Sequence, residues 1–252
     1  MGGILLKSKA ELEIMRRAGR VVAGLLKLME REAKAGVSTK RLDEIAEAYI
    51  RSQGTEPAFK GYYGYPACIC ASVNEEVVHG IPGSRVLKDG DIIGVDVGVK
   101  LEGFYSDAAR TFAIGAVDER SRRLIEVTRE AMQRGIQKAV RGNRLSDISW
   151  AVQSYAEQQG FSVVRQFVGH GIGRSLHEEP QVPNYGKPGQ GPELVIGMAL
   201  AIEPMLNAGT HEVEILKDGW TVVTRDRKRS GHFEQTVFVG ETEPEIVTEK
   251  DA

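Results

Sequence analysis

Residues 91–108 read Asp91-Ile92-Ile93-Gly94-Val95-Asp96-Val97-Gly98-Val99, then Lys100-Leu101-Glu102-Gly103, then Phe104-Tyr105-Ser106-Asp107-Ala108, and this stretch decides the fold. Valines alternate with glycine and aspartate before the polar break, which is typical of a strand with one buried face. The four residues from Lys100 to Gly103 predict a hairpin loop. If the loop closes symmetrically, Asp96 lies directly opposite Asp107, and both carboxylates project from one face.

Two carboxylates side by side on an apolar hairpin repel each other. At a separation of ~4 Å and an effective dielectric constant of ~20, the repulsion is roughly 4 kcal/mol. A hairpin with only a structural role has no reason to carry this penalty. The pattern therefore predicts a cation at this position, and a metal ion is the first candidate.

The composition is that of a soluble cytoplasmic protein. The chain has 252 residues, 41% of them hydrophobic, and a net charge of −2, which gives no global reason to expect nucleic-acid or membrane binding. No apolar run approaches the ~18 residues of a spanning helix, and the start lacks the apolar core of a signal peptide. Cys68 and Cys70 are expected to stay reduced. Without an obvious coiled coil or exposed apolar run, we expect a monomer.

Helical patterns occur in two pairs. Ser8-Lys9-Ala10-Glu11 is a capping box that opens a long first helix, and a second helix follows Ser38 and ends at Gln53-Gly54. A third is predicted from Arg122 to about Val140. The fourth is predicted at residues 146–159.

The second pair repeats the first. Residues 35–54 align without gaps with residues 141–160 and match glycines at both ends, at an offset of 106. Glu203, which ends an apolar strand, follows Asp96 at the similar offset of 107. We therefore expect a single catalytic domain, 1–252, built from two pseudo-symmetric halves (about 5–115 and 116–245). Each half brings helices and an acid-bearing strand to a shared centre.

The remaining strands are assigned from short apolar runs. One is predicted over 71–82, running into a turn at His79-Gly80, and others at 161–164 and 168–173. Residues 174–191 are rich in proline and glycine and predict a loop. The last segment, 212–238, predicts a three-stranded meander.

Three further polar residues stand in strands that should be buried. His170 lies between glycines after an apolar strand, Glu203 ends another, and Glu234 alternates with apolar residues. With Asp96 and Asp107 they form a set of four carboxylates and one imidazole without a thiolate, which argues against structural zinc. Four carboxylates neutralise two divalent ions, and such a pair activates water for hydrolysis.

These residues, in this order, resemble type I methionine aminopeptidase. The resemblance also rests on the motifs at residues 74–82, Gly169-His170-Gly171-Ile172-Gly173, His177-Glu178-Glu179-Pro180 and Ile202-Glu203-Pro204-Met205. It implies an α/β (α+β) pita-bread fold, a pseudo-twofold antiparallel β-sheet core flanked by two helix pairs. Type II members carry an insert between the last two acidic ligands, for which the thirty residues between Glu203 and Glu234 leave no room.

The resemblance implies removal of the initiator methionine from nascent polypeptides whose second residue is small, by a water that a dinuclear metal centre activates. The ligands would be Asp96, Asp107, His170, Glu203 and Glu234, and the two ions could be Mn, Fe, Co or Zn. Glu203 would also shuttle the proton, His79 would contact the substrate's backbone nitrogen, and His177 would stabilise the oxyanion. The methionine pocket would be lined by Phe59, Tyr62, Tyr65, Cys70, Leu176 and Trp220. Leu176 stands where some relatives have an aromatic residue, and Phe59 where some have cysteine.

Other functions are weaker interpretations of the same residues. The glycines at 169, 171 and 173 could indicate phosphate binding, but Pro180 and a loop replace the helix that such a motif opens. His177-Glu178 begins a zincin-like motif, but Gln181 stands where its second histidine belongs. Relatives of this fold that have lost ligands bind RNA or protein, and others cleave before proline. The intact ligand set argues against the first of these alternatives.

A basic cluster in the last meander predicts a second partner. It consists of Lys217, Arg225, Arg227, Lys228 and Arg229. A solvated loop is the simpler interpretation. The functional one is a salt-sensitive contact with ribosomal RNA near the site where nascent chains emerge.

Overall fold

The computed structural model describes residues 3–249. Over this range the chain forms four α-helices: α1 Lys9–Glu32, α2 Thr39–Ser52, α3 Glu119–Ile136 and α4 Leu145–Gln158. The strands are β1 Glu56–Pro57, β2 Ile69–Val73, β3 Glu76–Val78, β4 Ile92–Leu101, β5 Phe104–Ala113, β6 Ser162–Val163, β7 Gly169–Gly171, β8 Glu178–Val182, β9 Ala199–Ile202, β10 Met205–Asn207, β11 Val213–Ile215, β12 Val222–Thr224, β13 Ser230–His232, β14 Gln235–Phe238 and β15 Glu245–Ile246. A single 3-10 turn spans Tyr62–Gly64. None of the described helices has both the length and the apolar character that a membrane crossing needs.

All four predicted helices are confirmed. The capping box at Ser8 and Glu11 is formed at the start of α1, whose buried face packs on β4 and β5. The third helix begins three residues earlier than predicted because the Asp118 side chain accepts a hydrogen bond from the Ser121 N–H at 2.8 Å. It also ends earlier, at Ile136.

The predicted repeat has a structural counterpart. Helices α2 and α4 have the same length of 14 residues and the same offset of 106. The glycines that precede them, Gly36 and Gly142, both have a positive φ, at 90° and 88°. These matches support our proposal of one domain with two related halves, about 5–115 and 116–245. The first two and last three residues of the proposed domain lie outside the described range.

The central hairpin has a different register from the predicted one. Strands β4 and β5 are joined by a turn of only two residues, Glu102 and Gly103, whose φ angles of 48° and 84° are those of a type I′ turn. Asp107 therefore pairs with Gly98, and Asp96 pairs with Ala109. The predicted four-residue loop and the direct Asp96–Asp107 pairing are wrong. A two-residue shift keeps the side chains on the same face, so the two carboxylates are diagonal neighbours.

Four antiparallel sheets make up the core, as expected for a pita-bread fold. In one of them β4 lies between β1 and β2 and also pairs with β5, and another has the order β15-β14-β9-β7-β8. These two sheets are joined where the Glu234 N–H donates to the Ala109 carbonyl at 2.9 Å. The Asp107 N–H also donates to Thr236 Oγ1 at 3.0 Å. Strands from the two halves of the chain therefore meet at Asp107 and Glu234.

Three strand assignments need correction. The strand predicted over 71–82 is two strands, β2 and β3, which separate at Asn74 (φ 58°) and join different sheets. The predicted loop at 174–191 contains β8, where Pro180 is tolerated because β8 is an edge strand. The predicted three-stranded meander over 212–238 is also wrong. Strands β11 and β12 pair with each other, but the last predicted strand is interrupted at Phe233-Glu234, and its two parts, β13 and β14, pair with β10 and β9.

The two-residue turn gives a prediction for stability. Gly103→Ala should lower the free energy of unfolding by about 1 kcal/mol, because a side chain at this left-handed φ meets the following carbonyl. Urea denaturation measures the change. Gly83→Ala is the matched control, since Gly83 has no positive φ and the nearest atom to its added Cβ would be at 3.9 Å. Equal midpoints for both variants would contradict the assigned turn.

Candidate active site

All thirteen predicted site residues line one cavity of about 190 Å³. These are the five predicted ligands Asp96, Asp107, His170, Glu203 and Glu234, and the eight predicted substrate residues Phe59, Tyr62, Tyr65, Cys70, His79, Leu176, His177 and Trp220. A larger cleft of about 650 Å³, between α1 and α3, contains none of them. The smaller cavity is the candidate site because it holds the buried acids Asp107 and Glu234.

The acidic end of the cavity brings strands from both halves together. Asp96 and Asp107 come from the central hairpin and His170 from β7, while Glu203 directly follows β9 and Glu234 directly precedes β14. Asp107 and Glu234 are only 4% and 2% exposed. One ligand atom each from Asp107, His170 and Glu234 lies within 4.8 Å of the others, and His170 Nε2 is 3.4 Å from Glu203 Oε1.

Burial disfavours the charged form of all four acids, and repulsion adds to this effect at three of them. Desolvation raises the pKa of Asp96 to about 7. Desolvation, followed by the charges of neighbouring carboxylates, raises the pKa values of Asp107, Glu203 and Glu234 well above their usual range. Within residues 3–249, no lysine or arginine lines the cavity to compensate these charges.

The donor set fits a divalent metal site. Asp96 Oδ1, Asp107 Oδ1 and Glu234 Oε1 are buried without a hydrogen-bond partner among the described residues. The His170 Nδ1–H donates to the Gly171 carbonyl at 2.9 Å, which leaves the Nε2 lone pair directed to the acids. Unpaired carboxylate oxygens and a fixed imidazole nitrogen are the donors that such an ion needs.

The other end of the cavity is narrow and apolar. Phe59, Tyr65, Cys70 and Leu176 are all less than a tenth exposed. The Tyr65 hydroxyl lies within hydrogen-bond distance of the Ile69 and Gly80 carbonyls, at 3.1 and 3.0 Å, so its ring is fixed. The Trp220 ring meets it edge to face, with centroids 5.0 Å apart. This end can take one slender apolar side chain.

Two histidines stand between the acidic and apolar ends. His79 has a φ of 59°, and burial lowers its pKa to about 4, so it is neutral at physiological pH. His177 is exposed at the mouth, but its ring lies 4.3 Å from that of His170, and loss of water lowers its pKa. The Tyr62 hydroxyl is 2.8 Å from His177 Nδ1.

Two residues at this site lie outside the predicted set of thirteen. Tyr63 lines the cavity, is 85% exposed and has a φ of 46°. The surrounding run of aromatic residues and glycines was the signal for it. His232 is buried, and its Nε2 lies 3.8 Å from Glu203 Oε2 without a hydrogen-bond partner among the described residues. Its position two residues before Glu234 was the available signal, since residues so spaced in a strand share a face.

A dry cluster of four carboxylates and an imidazole at one end of an apolar cavity defines a metal-dependent hydrolase. Residues 13–241 match the model of metallopeptidase family M24. The chain is 54% identical to "Methionine aminopeptidase" of Clostridium perfringens, over 97% of this chain and 98% of that relative. It is also 54% identical to "Methionine aminopeptidase 1" of Bacillus subtilis, over 97% and 99%.

Among solved structures, the methionine aminopeptidase of Thermotoga maritima is similar with a TM-score of 0.97 and 45% identity, covering 98% of this chain and all of that one. The chain therefore belongs to metallopeptidase family M24 and, within it, to the methionine aminopeptidases.

The raised pKa values predict how the metal-free protein responds to pH. A carboxyl whose folded-state pKa lies above its unfolded value contributes stability that is complete below the unfolded pKa, near 4, and is lost as pH rises through the folded pKa. The buried histidines, whose pKa values are lowered, lose stability only as pH falls below ~6.5. Between pH 6.5 and 8.0 the carboxyls dominate. The free energy of unfolding should fall by on the order of 2 kcal/mol per carboxyl that only the folded chain keeps protonated.

Urea denaturation at both pH values, with a chelator present, measures this fall. A saturating divalent metal should reduce the pH dependence, because it holds the acids ionised in the folded state. Glu234→Gln should reduce it as well. A metal-free protein that is equally stable at pH 6.5 and 8.0 would contradict the assigned electrostatics.

Proposed function

We propose that the protein is a metalloaminopeptidase that removes the N-terminal methionine from nascent polypeptides whose second residue is small. One observation carries the proposal: a buried acid cluster lies at one end of a cavity of about 190 Å³ whose other end is lined by apolar side chains. A side chain seated at the apolar end would place the first peptide bond at the acids. We further propose that the protein acts as a monomer in the cytoplasm, where nascent chains emerge.

Two divalent ions, which could be Mn, Fe, Co or Zn, are the proposed cofactors. Asp96, Asp107 and Glu234 would bridge or chelate them, and His170 and Glu203 would complete one coordination shell. When bound, such ions make a water molecule acidic enough to ionise near neutral pH and polarise the scissile carbonyl. All five ligands line the cavity, and Asp107, His170 and Glu234 are buried, which supports this assignment.

Glu203 is the proposed proton carrier. Its oxygens lie 3.4 Å from His170 Nε2 and 3.8 Å from His232 Nε2, so the carboxyl group lies between two imidazoles. Burial raises its pKa, which favours taking up a proton. We infer that it accepts the proton of the attacking water and delivers it to the leaving amine.

The two histidines at the centre of the cavity are proposed to orient the peptide bond. Because a neutral phenol donates readily to an unprotonated imidazole nitrogen, Tyr62 keeps the His177 proton on Nε2. That N–H can then donate to the oxyanion. His79, packed between the Phe167 and Trp220 rings, is placed to contact the substrate's backbone nitrogen. Crowding at the mouth by Tyr62 and His177 supports a preference for a small second residue.

The activity can be tested by the release of methionine from Met-Ala-Ser. Chelator-treated protein should be inactive, and adding back Mn, Fe, Co or Zn, one at a time, should restore release. Glu203→Gln should reduce kcat by roughly 10²–10⁴-fold, because the proton carrier is lost.

Peptides that begin Xaa-Pro are the control for cleavage before proline, which should be at least about tenfold slower, a difference of roughly 1.4 kcal/mol in activation free energy. Faster cleavage of these peptides would favour that alternative. If folded, metal-loaded protein cleaves neither peptide, the binding-protein interpretation replaces the enzymatic one.

We also propose a ribosome contact through the basic cluster of Lys217, Arg225, Arg227, Lys228 and Arg229. Arg225, Arg227 and Lys228 are exposed, and each has an acidic partner nearby, so their charges are partly compensated. Arg229 is bound to Asp118 and to the Gly90 carbonyl, which makes it a structural residue. Lys217 makes no ion pair with another described residue. Exposed lysine and arginine side chains attract RNA phosphates over a distance, and this attraction supports the proposal.

Charge reversal of Lys217, Arg225 and Lys228 to Glu tests this contact. The triple variant should lose salt-sensitive co-sedimentation with ribosomes and keep peptide cleavage, because none of the three lines the cavity. Reversal of the exposed Lys9, Lys34 and Lys40 gives the same change in net charge elsewhere. Unchanged co-sedimentation of the first variant, or equal loss in both, would refute a contact at this cluster.

A further inference from the structure

A buried ion pair lies beneath the loop that carries Leu176 and His177. Lys7 Nζ is 2.6 Å from Glu178 Oε2, and the two side chains are only 2% and 5% exposed. Lys7 Nζ also donates to the Leu5 carbonyl at 2.9 Å. Lys7 precedes α1 and Glu178 begins β8, so the pair joins segments far apart in the sequence. Neither residue lines the active-site cavity.

The second oxygen of Glu178 binds the loop itself. Glu178 Oε1 accepts hydrogen bonds from the backbone N–H groups of Arg174 and Ser175, at 2.6 and 3.1 Å. These bonds close residues 174–178 into a tight turn. The turn presents Leu176 and His177 to the cavity. A single carboxylate thus connects Lys7 to the backbone just before the two substrate-side residues.

The backbone at Gly173 packs closely against this pair. A Cβ added at Gly173 would lie 2.2 Å from Lys7 Cε and 3.0 Å from Glu178 Oε1. The Lys7 N–H donates to the carbonyl of Gly197 at 2.8 Å, which fixes the lysine backbone as well. A second ion pair joins Arg174 to Glu11, the capping-box residue of α1. The start of α1 therefore holds the loop at two points.

We propose that Lys7 is a positioning residue for catalysis. Through Glu178 it fixes the turn so that Leu176 closes the methionine pocket and His177 faces the reacting carbonyl; this inference rests on the function proposed above. A buried carboxylate that loses its cation is costly to keep out of water. Without Lys7, Glu178 turns towards solvent and releases the Arg174 and Ser175 N–H groups. His177 then keeps only its contacts with Tyr62 and His170.

The experiment compares three variants. Lys7→Met removes the charge and keeps most of the chain length. Lys7→Met combined with Glu178→Gln leaves no buried charge, and the glutamine oxygen can still accept from Arg174 and Ser175. Lys9→Met is the matched control, since Lys9 is an exposed lysine only two residues after Lys7, at the start of α1. Each metal-loaded protein is assayed on Met-Ala-Ser at 25 °C after its Tm has been measured.

Lys7→Met should reduce kcat by roughly tenfold or more, because a small displacement of an orienting group is expensive in rate. The double variant should recover to within about threefold of the unaltered protein, a remaining difference of roughly 0.65 kcal/mol, and Lys9→Met should not change kcat. A Lys7→Met protein with a lower Tm but an unchanged kcat would show that the pair only stabilises the fold. A double variant as slow as Lys7→Met would exclude the unpaired Glu178 as the cause. Either result overturns the proposal.

Amide hydrogen exchange separates this inference from the proposed function. In Lys7→Met the Arg174 and Ser175 amides should exchange roughly tenfold faster or more, which corresponds to a loss of about 1.4 kcal/mol of local stability, while α2 stays protected. If the unaltered protein releases no methionine, the proposed function fails. The exchange rates still test whether Lys7, through Glu178, fixes the turn at residues 174–178. Unchanged exchange at both amides would overturn the proposal by itself.

Discussion

The structure depends on one electrostatic constraint: four carboxylates share one cavity in which they are buried or half-buried. Two of them at ~4 Å repel by roughly 4 kcal/mol even at an effective dielectric constant of ~20. Burial adds a desolvation penalty for each, and the pKa values of all four acids are raised accordingly. The chain compensates none of this with a lysine or arginine at the cavity within its described residues. The surrounding sheets therefore have to be held by other contacts while the acids face one another.

Backbone contacts between the two halves supply that support. Asp107 is held by reciprocal hydrogen bonds between its backbone and the Thr236 hydroxyl, and Glu234 by its pairing with the Ala109 backbone. The hairpin register contributes too. Diagonal neighbours in a sheet lie ~7–8 Å apart, against ~5 Å for directly opposed residues. Asp96 and Asp107 are diagonal, so their backbones lie farther apart than in a direct pair, while their carboxyl groups still interact in the cavity.

The sequence predicts what short segments determine. Capping boxes and apolar stripes give the helices, glycines with positive φ mark the repeat, and strand alternation places Asp96 and Asp107 on one face. It does not determine features that depend on distant partners. The two-residue turn at Glu102-Gly103 is one of several loop lengths that the local pattern allows. β8 forms because an open sheet edge accepts it despite Pro180. The family resemblance predicted the site residues. The roles of Lys7 and His232 were identified from their contacts in the fold, with Glu178 and Glu203.

The apolar end of the cavity suits a hydrophobic side chain and the acidic end needs a positive charge. Burial from water serves both ends. The apolar end needs water excluded so that a slender hydrophobic side chain gains free energy on entry. The acidic end needs a counter-charge, and exclusion of water strengthens each electrostatic interaction made there. The same dry environment therefore favours both the binding of a methionine side chain and the action of ions held by the acids. Residues at the boundary must then be fixed from outside the cavity. For His177 this is provided by Glu178, which does not line the cavity and binds the backbone of the loop that carries His177. The precision of the site thus depends on contacts made well beyond the residues that touch the substrate.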